Sequence, residues 1–223
     1  MSEKGKVMSF TGHRPKDLGG YHPEGEALEL QCRVKAFLAK IVDSAVYHGF
    51  KEFLTGGALG TDQWAAQAVL NQRCNQAADI VSRIYQPFPG QEDTWPPASK
   101  EEYYTLLANS SVTCVTDVKP AMNKMHRAFG RRNQAMVDDS DWVVAVWTGK
   151  VPSGTFDCIE RAIKANKPLA IYNPISDMEY RVKDHNVDKG PRDPAFFRVF
   201  SKITYNGQQV ARSGQITGQR RLF

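Results

Sequence analysis

Gly56, Gly57 and Gly60, followed by Thr61 and Asp62, lie where an apolar run ends and a helical pattern begins. Glycine accepts positive φ and close backbone approach, so FLTGGALGTDQWAAQAVL, residues 53–70, reads as a strand-to-helix turn. Its unobstructed backbone N–H groups and the start of the next helix favour an anion, by roughly 0.3–1 kcal/mol per interaction. Phosphate is the natural candidate, with Thr61 expected to cap the helix. The competing reading is structural: a tight turn, with Asp62 serving the helix macrodipole.

Two other turns carry similar chemistry, TGHRP at residues 11–15 and TGKVPSGT at residues 148–155. The first offers Thr11, Gly12, His13 and Arg14. An always-charged guanidinium such as that of Arg14 can clamp a phosphate bidentately, or it can ion-pair locally beside a satisfied turn histidine. The later turn offers Gly149, Ser153, Gly154 and Thr155. None of this is GxGxxG, and no lysine follows Gly60 as a P-loop requires, which disfavours a standard dinucleotide fold or NTPase. Matching chemistry on all three turns favours a ligand over a purely structural role.

The elements that must position these turns follow from periodicity. Residues 6–12, 52–55, 79–88, 111–117, 141–147 and 167–173 read as strands, and 24–48, 61–77, 100–108, 123–139 and 154–166 as helices. Short apolar strands alternating with helices indicate a parallel sheet covered on both faces, a doubly wound α/β fold of about six strands. In such sheets ligands bind beyond the carboxyl ends of the strands, where the strand order reverses. The three turns are all at strand ends. This unit is expected to occupy residues 1–174, with 175–223 a basic C-terminal extension in which FRVFSKITYNGQQVARS alternates about Asn206-Gly207, a type I′ hairpin signal.

Length and composition set bounds. With 223 residues and 41% hydrophobic content, the chain suits one domain with an appendage. It has no apolar run of the ~18 residues a membrane span needs, and MSEKGKVMSF lacks a secretory core, so the expectation is a cytoplasmic protein without a membrane partner. Cys32, Cys74, Cys114 and Cys158 form no CxxC, and the histidines form no HxxxH or HExxH, so reduced thiols and no metal are expected. The net charge of +5 suits an anionic partner, but residues 175–223 hold nine Lys/Arg against five Asp/Glu, which leaves the rest close to neutral. Nucleic-acid binding must therefore rest on the tail, where Arg212, Arg220 and Arg221 accompany one aromatic, Phe223, or on a local patch. Lys124, Arg127, Arg131 and Arg132 share one helix, a pattern that most often marks a solvated face. Among the tryptophans, Trp142 suits the core, Trp147 and Trp95 are better placed to stack on a base, and Phe88 with Trp95 suits a lid.

Together, TGHRP, GGALGTDQWAAQ, Pro87-Phe88, RRNQAMVDDSDWVVAVW and SGTFDCIERA resemble the YpsA-like branch of the SLOG superfamily, the Rossmann-like group that includes the LOG phosphoribohydrolases and the DNA-processing protein DprA. The resemblance implies a parallel Rossmann-like sheet, a nucleotide or nucleotide derivative in a glycine-lined cleft with no certain cofactor besides, and a homo-oligomer. It also singles out Arg132 and Asn133. The LOG pattern of an arginine, a methionine four residues later and an aspartate five beyond that is met by Arg132, Met136 and Asp141. The LOG PGGxGTxxE motif is met in part: Gly149 stands for part of the glycine pair, Gly154-Thr155 keep their places, and Cys158 occupies the position of the catalytic glutamate. Asp157 and Glu160 are near, but residues one and two away on a helix point about 100° and 200° aside. Glycosidic cleavage needs a positioned carboxylate. The leading expectation is therefore binding or sensing of a small phosphate-bearing nucleotide derivative: a nucleoside monophosphate, ADP-ribose or a cyclic relative. One alternative is an N-glycosidic hydrolase using Asp62 or Glu160, with Arg132 or Arg14 on the phosphate. The other is single-stranded nucleic-acid binding of DprA type.

Overall fold

The computed structural model describes residues 5–76, 79–183, 186–188, 204–205 and 208–209. The strand β1 (Lys6–Gly12) is buried along residues 7–11, as expected of a strand with helices on both faces. It leads through a short 3₁₀ turn, Pro15–Asp17, to α1 (Gly25–Tyr47). Next come β2 (Phe50–Thr55), α2 (Thr61–Gln76), β3 (Val81–Gln86), α3 (Pro97–Ala108) and β4 (Ser111–Cys114). After a second 3₁₀ turn, α4 (Met125–Asp138), β5 (Trp142–Val146), α5 (Gly154–Lys164) and β6 (Leu169–Asn173) complete the alternation.

The sheet has the order β4-β3-β2-β1-β5-β6, all parallel, continued by β7 (Met178–Lys183) and β8 (Asn186–Asp188), both antiparallel. The chain winds outward from β1 to β4, crosses back through α4, and resumes at β5 on the other side of β1. Strand order therefore reverses between β1 and β5, where Met8 lies opposite Trp142 and Gly12 opposite Val146. A crevice opens at the carboxyl ends of such a strand pair. The fold is the doubly wound, Rossmann-like α/β sheet expected.

The period of two along β5 divides the core. Val144 and Val146 pack with Phe10, Phe53 and the α1 residues Val34, Leu38 and Ile41. Val143, Ala145 and Trp147 pack with Ile159 and Ala162 of α5. The sheet runs past Pro174, since Tyr180 and Val182 of β7 are buried in the α5 layer. Beyond it, β9 (Thr204–Tyr205) pairs antiparallel with β10 (Gln208–Gln209), Gln208 opposite Tyr205, which is the expected hairpin. Residues 206–207, and Arg212, Arg220, Arg221 and Phe223, lie outside the described residues. No helix among the described residues is long and apolar enough to cross a membrane.

Candidate functional site

A cavity of about 850 Å³ occupies the crevice beyond β1 and β5, within the size range of small-molecule sites. Thr11, Gly12, His13 and Arg14 line it from the β1 turn, and Ala58 and Asp62 from the β2 turn. Arg132 and Asn133 line it from α4, and Ser153, Gly154 and Thr155 from the start of α5. Gly56, Gly57, Gly60, Thr61, Gly149 and Glu160 do not belong to this lining.

The glycines of the β2 turn shape the site from behind. The Gly56 carbonyl accepts a hydrogen bond from Arg132 Nη1 at 2.8 Å, and any Cβ at Gly56 would strike that guanidinium. Gly60, at φ 91°, lies against the His13 carbonyl and Pro15, where a side chain has no room. Gly57 faces Ile84 and Tyr103. The expected cap at Thr61 is corrected by the structure: both its backbone N–H (3.3 Å) and its hydroxyl (3.0 Å) donate to the His13 carbonyl. Thr61 is already the first helical residue, so its side chain reaches back to the neighbouring turn and ties the first two turns together.

Asp62 is 4% exposed. Its Oδ2 lies 3.6 Å from Arg132 Nη1 and accepts the Ala58 N–H at 3.3 Å. Burial pushes its carboxyl above the usual range, opposed chiefly by Arg132 and then by the Ala58 N–H. Arg132 is equally committed, since its Nε also donates to Asn133 Oδ1 at 3.1 Å. It braces the turn as well as facing the cavity.

His13 is buried. Its Nε2 lies 3.0 Å from Thr148 Oγ1 and its Nδ1 4.0 Å from Asp17, and its backbone N–H donates to the Val146 carbonyl. Burial lowers its pKa to about 4, with Asp17 opposing and Lys150 reinforcing the shift. Lys150 in turn pairs with Asp17 across the mouth of the crevice.

The α5 side is held by a polar network. Ser153 caps α5 by accepting the Phe156 N–H at 3.1 Å. Asn133 Nδ2 donates to the Gly154 carbonyl (3.2 Å) and to Asp157 (2.9 Å), while Arg161 grips Asp157 through Nε (2.9 Å) and Nη2 (3.0 Å). Cys158 is 1% exposed, and burial pushes its thiol up to about 12, so it supplies no acid at that position. Glu160 faces an adjoining hollow of about 270 Å³ beside Lys164, which shares Gln134, Asp157 and Arg161 with the cavity. Asp141 is at the opposite end of the sheet, where its Oδ2 accepts the Val7 N–H at 2.8 Å.

The aromatic expectations are corrected. Trp147 is fully buried, stacked 5.6 Å from Phe156, with its indole N–H donating to the Lys150 carbonyl. Trp95 packs on Tyr103 and Phe88 on Phe129, both as buried side chains rather than a lid, because the Pro-flanked loop folds onto α3 and α4. Trp142 joins the core as expected, packed partly buried against the α1 layer. Phe129, half-buried, is the one benzene ring in the cavity lining.

Seven Lys/Arg side chains line the cavity against three carboxylates. Each carboxylate is matched: Asp17 by Lys150, Asp62 by Arg132 and Asp157 by Arg161. Arg14, Lys16, Arg127 and Arg131 have no salt-bridge partner among the described residues. Arg127 and Arg131 are exposed, as expected of a solvated face, and they also line the cavity with Lys16, Lys150, His126 and Phe129, which the sequence does not single out. A signal was available: no Asp or Glu stands three or four residues from Arg127 or Arg131, whereas a salt-bridged outer face would carry them.

A family model described as the YspA SLOG family matches residues 8–172. A UPF0398 protein of Bacillus cereus is 27% identical over 159 residues, covering 71% of this chain and 83% of its own. UPF0398 protein YpsA of Bacillus subtilis is 27% identical over 143 residues, covering 64% of this chain and 76% of its own. Among solved structures, the Moco carrier protein from Chlamydomonas reinhardtii aligns over 94% of this chain and 93% of its own, at 17% identity and a TM-score of 0.44.

Proposed function

The chain belongs to the YspA SLOG family, and from that premise we propose that its crevice binds a small, phosphate-bearing nucleotide derivative. One observation carries the reading. The cavity lies at the strand-order reversal, every carboxylate in it is already matched by a cation, and four further cations are left over. Water-facing cations gathered in a concave site raise the local concentration of anions. The exposed start of α5, with Ser153 and Gly154 in the lining, adds backbone donors of the same polarity. Phe129, with the Arg132 guanidinium 5.9 Å from its ring centroid, adds apolar surface for a base beside these cations.

Native mass spectrometry of the gently purified protein, followed by calorimetric titration with a nucleotide panel, tests this. A nucleotide that co-purifies or binds, and binds about tenfold more weakly to Arg14→Ala, is the expected outcome. Failure of every nucleotide to bind at millimolar concentration overturns it.

A second reading, N-glycosidic hydrolysis, is favoured by Asp62 alone: its carboxyl is buried in the cavity wall and pushed towards the protonated form, as a general acid requires. Release of free base from a bound nucleotide, lost in Asp62→Asn while binding persists, is its signature. A nucleotide that binds and stays intact removes it.

A further inference from the structure

The leftover charge has a distribution as well as a sign. Arg14 and Lys16 belong to the segment after β1, and Arg127 and Arg131 to α4 on the facing wall. Arg127 and Arg131 are four apart on one helix, so their Cβ atoms are about 5–6 Å from each other and on one face. That face lines the cavity.

Nothing within the helix supports this pair. Like charges at this spacing repel. The first turn of α4 has no acidic residue, while Lys124, His126 and Arg127 stand where the helix dipole favours acids. Among the described residues, neither arginine has a carboxylate partner. Both side chains are exposed, so water screens this repulsion, and a bound anion relieves what remains of it.

A single phosphate brings at most about two negative charges, fewer than the four unmatched cations. We infer that the ligand ends in two or more phosphates in series, as a nucleoside diphosphate does with about three negative charges, and that Arg127 and Arg131 select it over a monophosphate. The inference rests on the nucleotide-binding reading above.

The experiment is calorimetric titration of the full chain with AMP, ADP and ADP-ribose at low and physiological salt, for the wild type and for the double variant Arg127→Ala/Arg131→Ala. In the wild type ADP binds at least about tenfold more tightly than AMP, with the larger salt dependence, and ADP-ribose, whose bridged diphosphate brings no more charge than AMP, does not match it. In the double variant that ratio falls below about threefold. AMP binding as tightly as ADP in the wild type overturns the inference and leaves the nucleotide reading standing, and this comparison needs no variant. A ratio that survives in the double variant overturns the assignment to α4. If only monophosphates of the nucleotide panel bind, the inference fails alone; if no nucleotide of the panel binds, the nucleotide reading fails and the inference with it. A thermal melt of the ligand-free proteins checks folding: because the substitutions remove repulsion, the double variant melts no lower than the wild type.

Discussion

His13 is a neutral imidazole in the folded chain, and this has a pH consequence. Burial lowers its pKa from 6.5 to about 4. The unfolded chain therefore takes up a proton near pH 6.5 that the folded chain refuses until about pH 4, so stability is whole above 6.5 and declines as pH falls through that window. The loss reaches roughly 3 kcal/mol. Urea denaturation from pH 7 down to 4.5 should show this decline in the wild type and a flatter profile in His13→Gln; equal slopes would contradict it. Arg132 gives a second test at the same scale. Arg132→Ala removes the bond to the Gly56 carbonyl and leaves the Asp62 carboxyl buried without its guanidinium, an expected loss of about 3–5 kcal/mol. Much of that should return in the double variant with Asp62→Asn, whereas strictly additive losses in urea denaturation would show that the two do not interact. Asp62 and Arg132 were legible as site residues from the glycine turn and the family resemblance. Their dependence on each other was not, because they are 70 positions apart in sequence.

α4 shows what an element sacrifices for a site. Arg127→Glu places an acid in the first turn and converts a like-charge pair with Arg131 into an attractive one. The ligand-free protein should gain about 0.5–1 kcal/mol in urea denaturation, while nucleotide affinity falls. A variant no more stable than the wild type would mean that these charges are already neutralised by some other group. Helix and strand identities along residues 6–173 were legible because burial leaves a period in the sequence, but α3 begins at Pro97, the proline position favoured in a first helical turn, and not at the expected residue 100. The cavity-facing side of α4 was not, since the same arginines suit either water or a ligand until the facing wall is in place.

The whole molecule depends on more chain than the family match covers. β7 lies beyond the matched residues 8–172, yet it pairs along the whole of β6, and Tyr180 and Val182 close the α5 layer. A chain ending at residue 174 loses that strand and exposes an edge; burying two such side chains is worth about 1.5–3 kcal/mol each. It should melt at least about 5 °C lower or precipitate on expression, and a truncated protein that melts with the full chain would confine the stable unit to residues 1–174. The residues alone determined the alternating α/β architecture and the three turns at strand carboxyl ends, since burial periodicity and glycine's conformational freedom are local properties. Only the tertiary structure decided which charges are used up and which face the crevice. Arg132 meets the Gly56 carbonyl across 76 positions of chain, while Arg127 and Arg131, on the same helix, meet no carboxylate among the described residues. Ion pairing follows distance in space, and that distance exists only once β5 has returned to lie beside β1.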